Sequence, residues 1–147
     1  MTRSIAANFL RHLIQALPYQ VHIVLTDNGI QFAHRAQDIY TSKHPFQRVC
    51  AADGIEHGLT QVGHPWTNGQ VEGMNGLLKS ATVKRYYYAT HECLKKHLYS
   101  FVLAYNHGKR LKALKGMTSY EYILATWEKE PDRFNINPRY FNVGLNT

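Results

Sequence analysis

The sequence predicts a helix-rich α/β chain, and three stretches carry that prediction. Residues 3–17 place apolar side chains at near-helical spacing and end at Pro18, which is typical of an amphipathic helix. Residues 21–25 form a short, β-branched apolar run bounded by turn residues, which is typical of a buried strand. The longest helical stretch opens at Thr67, so helical and extended segments alternate along the chain.

The rest of the first half is expected to consist of short elements joined by turns. Asn, Asp and Gly mark tight turns because their side chains or backbone tolerate the required geometry, and Pro65 disfavours helix at His64. In order, the expected elements are a tight turn at 27–29, an irregular loop over 33–44, a short helix closed near Gly54, a second strand over 55–62 and a loop over 63–66.

The helix that opens at Thr67 is expected to have two distinct faces. The Thr67 hydroxyl can cap the backbone while Gln70, three residues later, reaches back, as in a capping box. One face carries an apolar stripe that is expected to be buried, and another carries polar residues at i, i+3 and i+7. The apolar stripe comprises Val71, Met74, Leu78 and Ala81, and the polar face comprises Glu72, Asn75 and Lys79.

Two more helices are expected in the second half. One runs over about 92–106, with Gly108 marking its end, and the other runs over about 119–128 with Thr118 as its cap. The segment from residue 131 onward looks irregular. The predicted division of the chain is therefore a main part, residues 1–130, and an irregular tail, residues 131–147.

Composition narrows the class of protein. The 147 residues are 44% apolar and 18% charged, which fits a soluble globular chain, and no apolar stretch is long enough to span a membrane. No signal peptide is expected at residues 1–5, and the two widely separated cysteines are typical of reduced thiols in a cytosolic protein. The location expected for the chain is therefore the cytoplasm.

The charge of the chain is positive and locally concentrated. The net charge is +7, and between Lys79 and Lys115 Glu92 is the single acid among many basic residues. Clustered cations of this kind are typical of proteins that bind nucleic-acid phosphates. The alternative is a solvated helical surface that is kept charged for solubility.

Two carboxylates stand at positions suited to a metal ion. Asp27 ends a strand that is expected to be buried, and Glu72 lies on the first turns of a helix. Carboxylate oxygens on rigid elements suit hard cations such as Mg²⁺. Each residue also has a simpler reading, since Asp27 can be a turn former before Asn28 and Gly29, and an acid such as Glu72 is favoured by the helix dipole.

These motifs together resemble the retroviral-integrase-like transposases of bacterial insertion sequences. The resemblance covers nearly the whole chain, and the paired acidic motifs are specific when they occur together. The matching segments are residues 25–32 (LTDNGIQF), 64–72 (HPWTNGQVE), 104–106 (AYN) and 117–123 (MTSYEYI).

The resemblance implies a partial ribonuclease-H-like (integrase core) fold and a set of metal-binding and DNA-binding residues. The family holds two Mg²⁺ ions, or Mn²⁺, with an Asp-Asp-Glu triad that cleaves DNA and transfers strands, and Asp27 and Glu72 match its second and third acids. Asn75 and Lys79 match the helix face that lies beside the metals and along DNA. Lys84 and Arg85, from the basic stretch, are expected to contact DNA phosphates as well.

Two departures from the family pattern bear on activity. The first acid of the triad and three early strands have no counterpart in the sequence, and Gly73 stands after Glu72 where the family often has a basic residue. We therefore expect a C-terminal portion of a transposase that is inactive by itself. The alternative is a non-catalytic basic module that binds DNA or another subunit. The expected partners are DNA, as transposon ends and target, and a second copy of the chain or a separate N-terminal portion, in the bacterial cytoplasm and without a membrane.

Overall fold

The computed structural model describes residues 2–34, 43–60 and 69–140. Its contacts group the chain into two compact units, residues Met1–Gln70 and Val71–Thr147. The boundary expected at residue 130 is not tested by this grouping and stays a prediction. Within the described ranges, no helix combines the length and the apolar composition that are needed to cross a bilayer.

In the part of the first unit that the structure describes before residue 61, two helices and two strands alternate. These are helix α1 (Arg3–Ala16), strand β1 (Ile23–Thr26), helix α2 (Pro45–Ala52) and strand β2 (Glu56–Leu59). The two strands pair in parallel, with Ile23 opposite Glu56 and Thr26 opposite Leu59. The predicted α/β alternation is confirmed, and each strand is shorter than the sequence indicated. The expectation that the first strand is buried is wrong, since Ile23 and Leu25 are 64% and 54% exposed.

Local signals explain where the elements of the first unit begin and end. The hydroxyl of Thr2 caps the start of α1, and Leu17, immediately before Pro18, is the C-cap at its end. Pro45 occupies the start of α2, where its missing N–H and fixed φ are tolerated. Gly54, at φ 65°, turns the chain from α2 toward β2 in a conformation that other residues adopt at a cost.

A small apolar core joins the two helices of the first unit. Leu10 of α1 and Phe46 of α2 are almost fully buried, and the rings of Phe32 and Phe46 meet edge to face with centroids 5.1 Å apart. Burying each such large side chain is worth about 1.5–3 kcal/mol. The core residues are Ala6, Ala7, Leu10, Phe46, Val49, Cys50 and Ile55.

The regular elements described in the second unit are helices joined by turns. It contains most of helix α3 (Gly69–Ala81), helix α4 (His91–Gly108) and helix α5 (Ser119–Lys129). Three short 3₁₀ turns complete it, at Lys112–Leu114, Pro131–Arg133 and Pro138–Tyr140.

Capping fixes the ends of α4 and α5. The hydroxyl of Thr90 accepts a hydrogen bond from the backbone N–H of Cys93 at the start of α4. Thr118 and Glu121 form the reciprocal capping box at the start of α5, as Thr118 was expected to provide a cap. The prediction of both helices is confirmed, and the segment expected to be irregular after residue 130 contains two 3₁₀ turns before residue 141.

One expectation for α3 is wrong. Among the residues of α3, none is buried, and two of the four expected stripe residues, Val71 and Met74, are 55% and 37% exposed. Hydrophobic periodicity predicts which residues share a helix face, but it does not predict that a partner surface covers that face. Thr67, which was expected to cap this helix, and the loop expected over 63–66 lie outside the described residues.

Candidate metal centre and nucleic-acid interface

Asp27 lies at the carboxyl end of β1, as predicted. The parallel ladder continues just beyond the strands, where the backbone N–H of Thr60 donates to the carbonyl of Thr26 at 2.8 Å. The side chain of Asn28 then donates to the carbonyl of Thr60 at 2.7 Å, which ties the chain after β1 to the chain after β2. In open α/β sheets, ligands bind outside the carboxyl ends of the strands. Asp27 therefore lies at the carboxyl ends of the strands, where a ligand is expected.

The carboxylate of Asp27 also forms the turn that the sequence predicted. Its Oδ1 accepts a hydrogen bond from the backbone N–H of Gly29 at 2.8 Å, which is an Asx turn. The side chain is exposed, so the carboxylate can reach a solvated ion while Oδ1 remains bound to the turn. The turn-forming and metal-binding readings of this residue are compatible.

Two side chains from other elements hold the loop that follows Asp27. Nε of Arg3, on α1, donates to the carbonyl of Ile30 at 3.1 Å. Nε2 of His44, directly before α2, lies 3.1 Å from the same carbonyl. The loop is thus connected to both helices of the first unit through one backbone oxygen.

His44 is fully buried, and both of its ring nitrogens have a partner. Nδ1 accepts a hydrogen bond from the backbone N–H of Phe46 at 3.2 Å and so caps α2. Because Nδ1 is the acceptor, the proton of the neutral ring belongs on Nε2, which donates to Ile30. Burial lowers the pKa of His44, and the nearby His34 and Arg3 lower it further, against the opposing effect of the Ile30 carbonyl. The geometry and the pKa both favour the neutral ring.

The role of His44 in holding this site was not predicted from the sequence. Its local signal is Pro45, because proline at the first helical position marks the preceding residue as the cap. The bond to Ile30 spans 14 positions and has no local signal.

A second histidine links the two strands through its side chain. His57 on β2 places Nε2 2.8 Å from the hydroxyl of Thr26 on β1, the residue before Asp27. The ring of His57 also lies 4.9 Å from that of Phe46, measured between centroids. Burial lowers the pKa of His57, and a smaller effect comes from His44. His57 therefore holds the side chain of Thr26, the residue immediately before the carboxylate.

Glu72 lies in the first turn of α3, as predicted, and is exposed. A negative charge at this position interacts favourably with the helix dipole by about 0.3–1 kcal/mol. Asn75 and Lys79 follow at the spacing that places them on the same face as Glu72, and both are exposed. The expected polar face of α3 is present, and all three of its side chains are accessible.

Lys84 and Arg85 lie in the turn that ends α3. The backbone N–H of Lys84 donates to the carbonyl of Lys79 at 2.9 Å, which brings the Lys84 backbone against the last turn of the helix. The guanidinium of Arg85 lies 5.7 Å from the ring centroid of Tyr86. The buried hydroxyl of Thr82 donates to the carbonyl of Leu78 and anchors this turn. Between Asn75 and Arg85, the three cations Lys79, Lys84 and Arg85 are all exposed.

The donor set fits a hard cation in its chemistry. Asp27 and Glu72 are both exposed carboxylates, the ligand type that Mg²⁺ and Mn²⁺ prefer. The described ranges contain no group of three or more His, Cys, Asp or Glu residues arranged around one point. Asp27 belongs to the first unit and Glu72 to the second, and their approach to one another stays a prediction.

Comparison with known proteins supports an integrase-like core. Residues 53–118 match the model of the family described as "Integrase core domain". The matched segment contains Glu72, Asn75, Lys79, Lys84 and Arg85, and it begins after Asp27. A search among curated proteins returned no match.

Among solved structures, the chain is similar to a protein in the cryo-EM structure of the simian T-cell lymphotropic virus intasome in complex with PP2A regulatory subunit B56 gamma. The two are 27% identical with a TM-score of 0.56, and the alignment covers 76% of this chain and 36% of that one. The chain thus spans about a third of the length of that relative. Together with the two parallel strands and the helices described above, these matches show a helix-rich α/β chain with a partial ribonuclease-H-like, integrase-core fold.

Proposed function

We propose that this chain is part of a DNA transposase or integrase in which Asp27 and Glu72 are metal-binding catalytic residues and α3 contacts DNA. The observation that carries the proposal is the exposed face of α3, where Glu72, Asn75 and Lys79 lie together inside the segment that matches the integrase core domain. A carboxylate beside an amide and a cation is a suitable arrangement for a helix that faces both a metal ion and a phosphate.

Each residue has a separate role in this proposal. Asp27 and Glu72 would hold Mg²⁺ or Mn²⁺, which when bound supplies charge stabilisation to a phosphodiester that is being cleaved or joined. Lys79, Lys84 and Arg85 bind phosphate oxygens, Lys79 and Lys84 as point charges and Arg85 through a planar fork. Asn75 can donate or accept a hydrogen bond at the same surface. The partners are transposon-end and target DNA, and the setting is a bacterial insertion sequence expressed in the cytoplasm.

The 147 residues alone are expected not to transfer strands. The resemblance implies three acids, and the sequence matches two of them, so one ligand of the metal pair is not accounted for. Incomplete ligation would misplace the attacking oxygen, and a displacement of about 1 Å can lower the rate about a hundredfold. Nicking or joining by the purified chain that disappears in Asp27→Asn would contradict this expectation.

The DNA-binding part of the proposal is tested by the salt dependence of duplex binding. We expect replacement of Lys79, Lys84 and Arg85 by Gln to reduce the slope of log K against log salt by about 2.7, since each phosphate contact to duplex DNA contributes about 0.9. The matched control replaces three other exposed cations, Lys95, Lys96 and Lys109, by Gln. Equal changes in the two triple variants would show that α3 is not the DNA-binding surface.

A second candidate function, a non-catalytic module that binds another subunit, is favoured by apolar surface in the first unit. Phe9 on α1 is 63% exposed, and Ile23 and Leu25 on β1 are 64% and 54% exposed. Exposed apolar side chains on a helix surface or on a strand favour association with another chain. Analytical ultracentrifugation separates the candidates. The module would be favoured if the chain forms a concentration-dependent dimer that Phe9→Ser abolishes, and if the α3 variants bind DNA as the wild type does.

A further inference from the structure

A groove in the second unit has no role in the proposed metal centre. It has a volume of about 380 Å³ and follows one face of α5, between the 3₁₀ turn at Lys112–Leu114 and the turn at Pro131–Arg133. All of its lining residues belong to the second unit, and all of α5 lies beyond the segment that matches the integrase core domain. Ligand-binding clefts in proteins have volumes of about 300–1,000 Å³, so the groove is large enough for a small ligand or one unit of a polymer.

The rim of the groove is positively charged. Its charged residues are three cations from three separate segments, Lys115, Lys129 and Arg133, and one acid, Glu130, which leaves a net charge of +2. Glu130 is already paired, since its Oε2 lies 3.0 Å from Nη1 of Arg133. Lys115 and Lys129 make no ion pair within the described residues. Two cations are thus available to an anion from outside the chain.

Two features of the backbone bear on this charge. Lys115 has a left-handed backbone conformation, φ 56°, in the tight turn that leads to α5. The turn therefore determines the position of Lys115 beside the groove. The carboxyl end of α5 lies at the other end of the groove and contributes a partial charge of about −0.5. That partial charge is smaller than the net positive charge of the side chains, so the groove still favours anions.

The uncharged part of the lining, called the floor below, is mostly apolar and includes an aromatic ring. Leu114 and Met117 are half-buried there, and Tyr122 is 46% exposed. The hydroxyl of Thr126 donates to the carbonyl of Tyr122 at 2.8 Å, so this polar group is already satisfied. A ligand that fits both floor and rim has a flat apolar part and a phosphate.

We propose that this groove binds single-stranded nucleic acid, with an unpaired base against Tyr122 and backbone phosphates on Lys115 and Lys129. A positively charged groove combined with an aromatic ring is the arrangement by which proteins bind single strands without sequence preference. A base paired within a duplex cannot present its face to Tyr122, so the groove discriminates against duplex. This inference adds a second contact to the proposed DNA binding, and the two sites share no residue.

The electrostatic part is tested with a fluorescein-labelled single-stranded oligonucleotide of mixed sequence and the full chain. We expect Lys115→Gln combined with Lys129→Gln to reduce the salt slope of binding by about 1.4, since each contact to a single strand contributes about 0.7. The control pair is Lys95→Gln with Lys96→Gln, two exposed cations of α4 outside the groove. Circular dichroism confirms that each variant is folded. Equal changes in the two pairs would overturn the proposal.

The aromatic part is tested at Tyr122. Tyr122→Leu should weaken single-strand binding by about fivefold or more, as expected for loss of one stacked base, while Tyr122→Phe retains the ring and the affinity. Duplex binding should change little in either variant. Equal affinity of the Leu and Phe variants for the single strand would overturn the assignment of Tyr122.

The α3 variant Lys79→Gln with Lys84→Gln is measured in parallel, so that the two proposals can fail separately. Loss of duplex binding in that variant, with unchanged single-strand binding in the groove variants, would overturn the groove and leave the proposed function intact. If the groove variants lose single-strand binding while the α3 variant keeps its duplex binding, the groove is supported and the proposed role of α3 is contradicted. A wild-type chain that binds neither probe would overturn both.

Discussion

The loop after Asp27 and the helix that carries Glu72 are stabilised in different ways. The loop is held by side chains from distant segments, with Asn28 bound to Thr60 and the carbonyl of Ile30 bound by Arg3 and His44. Helix α3 has no buried residue in the structure. One carboxylate is therefore positioned by tertiary contacts, and the other is positioned mainly by the helix to which it belongs.

This difference predicts which substitutions should change the position of each carboxylate. The position of Asp27 should depend on residues far away in the sequence, because they fix its loop. The position of Glu72 should depend on the intrinsic stability of α3, because tertiary burial contributes little there. The comparison can be tested separately at each of the two carboxylates.

The largest expected effect is that of His44→Ala. This variant removes the cap of α2 and the bond to Ile30, so we expect the free energy of unfolding of the first unit to fall by about 2–3 kcal/mol. The control is His91→Ala, which removes the same side chain from an exposed position at the start of α4. Urea denaturation followed by circular dichroism measures both. A loss no greater than that of His91→Ala would show that the loop does not depend on His44.

The second expectation concerns pH. Because the pKa of His44 is lowered in the folded chain, the unfolded chain binds more protons than the folded chain as the pH falls below the ordinary value of 6.5. The stability contributed by the neutral ring is therefore fully present above about pH 6.5 and is lost as the pH falls through the folded pKa. His57, whose pKa is lowered as well, acts in the same direction.

The variant His44→Asn separates titration from capping. Asn is a good helix cap that does not titrate, so the decline in stability between pH 7.5 and pH 5 should be smaller than in the wild type. Urea denaturation at a series of pH values gives the slope. A decline equal to that of the wild type would assign the effect to other groups.

The smallest expected effect lies on α3. A Cβ added at Gly73 meets no atom within 4 Å, so Gly73→Ala should stabilise the helix by about 0.5–1 kcal/mol. Gly54→Ala is the matched control, because φ of 65° makes the same substitution unfavourable in the first unit. Hydrogen exchange of the α3 amides measures the gain. Unchanged protection would mean that intrinsic propensity does not limit this helix.

The sequence allowed prediction of features that depend on neighbouring residues. The helix end at Pro18, the cap at Thr118 and the turn at Asp27 each act over four positions or fewer, and all of them are present. Placement of Glu72 near the start of a helix followed from the same kind of local pattern.

Features that depend on distant contacts could not be predicted in this way. The bond from His44 to Ile30 and the exposure of Val71 and Met74 both depend on what lies nearby in three dimensions. Periodicity does not contain that information. The approach of Asp27 to Glu72 belongs to the same class, and no local pattern in either segment determines it.

The central claim, that these two carboxylates bind the same metal ion, is tested most directly by a double-mutant cycle on Mn²⁺ affinity. Asp27→Asn, Glu72→Gln and the double variant are titrated with Mn²⁺, and free Mn²⁺ is measured by electron paramagnetic resonance. If both residues bind one ion, each single variant weakens affinity by about tenfold or more, and the double variant loses less than the product of the two factors. Factors that multiply fully, or single variants that leave the affinity unchanged, would contradict a shared metal centre.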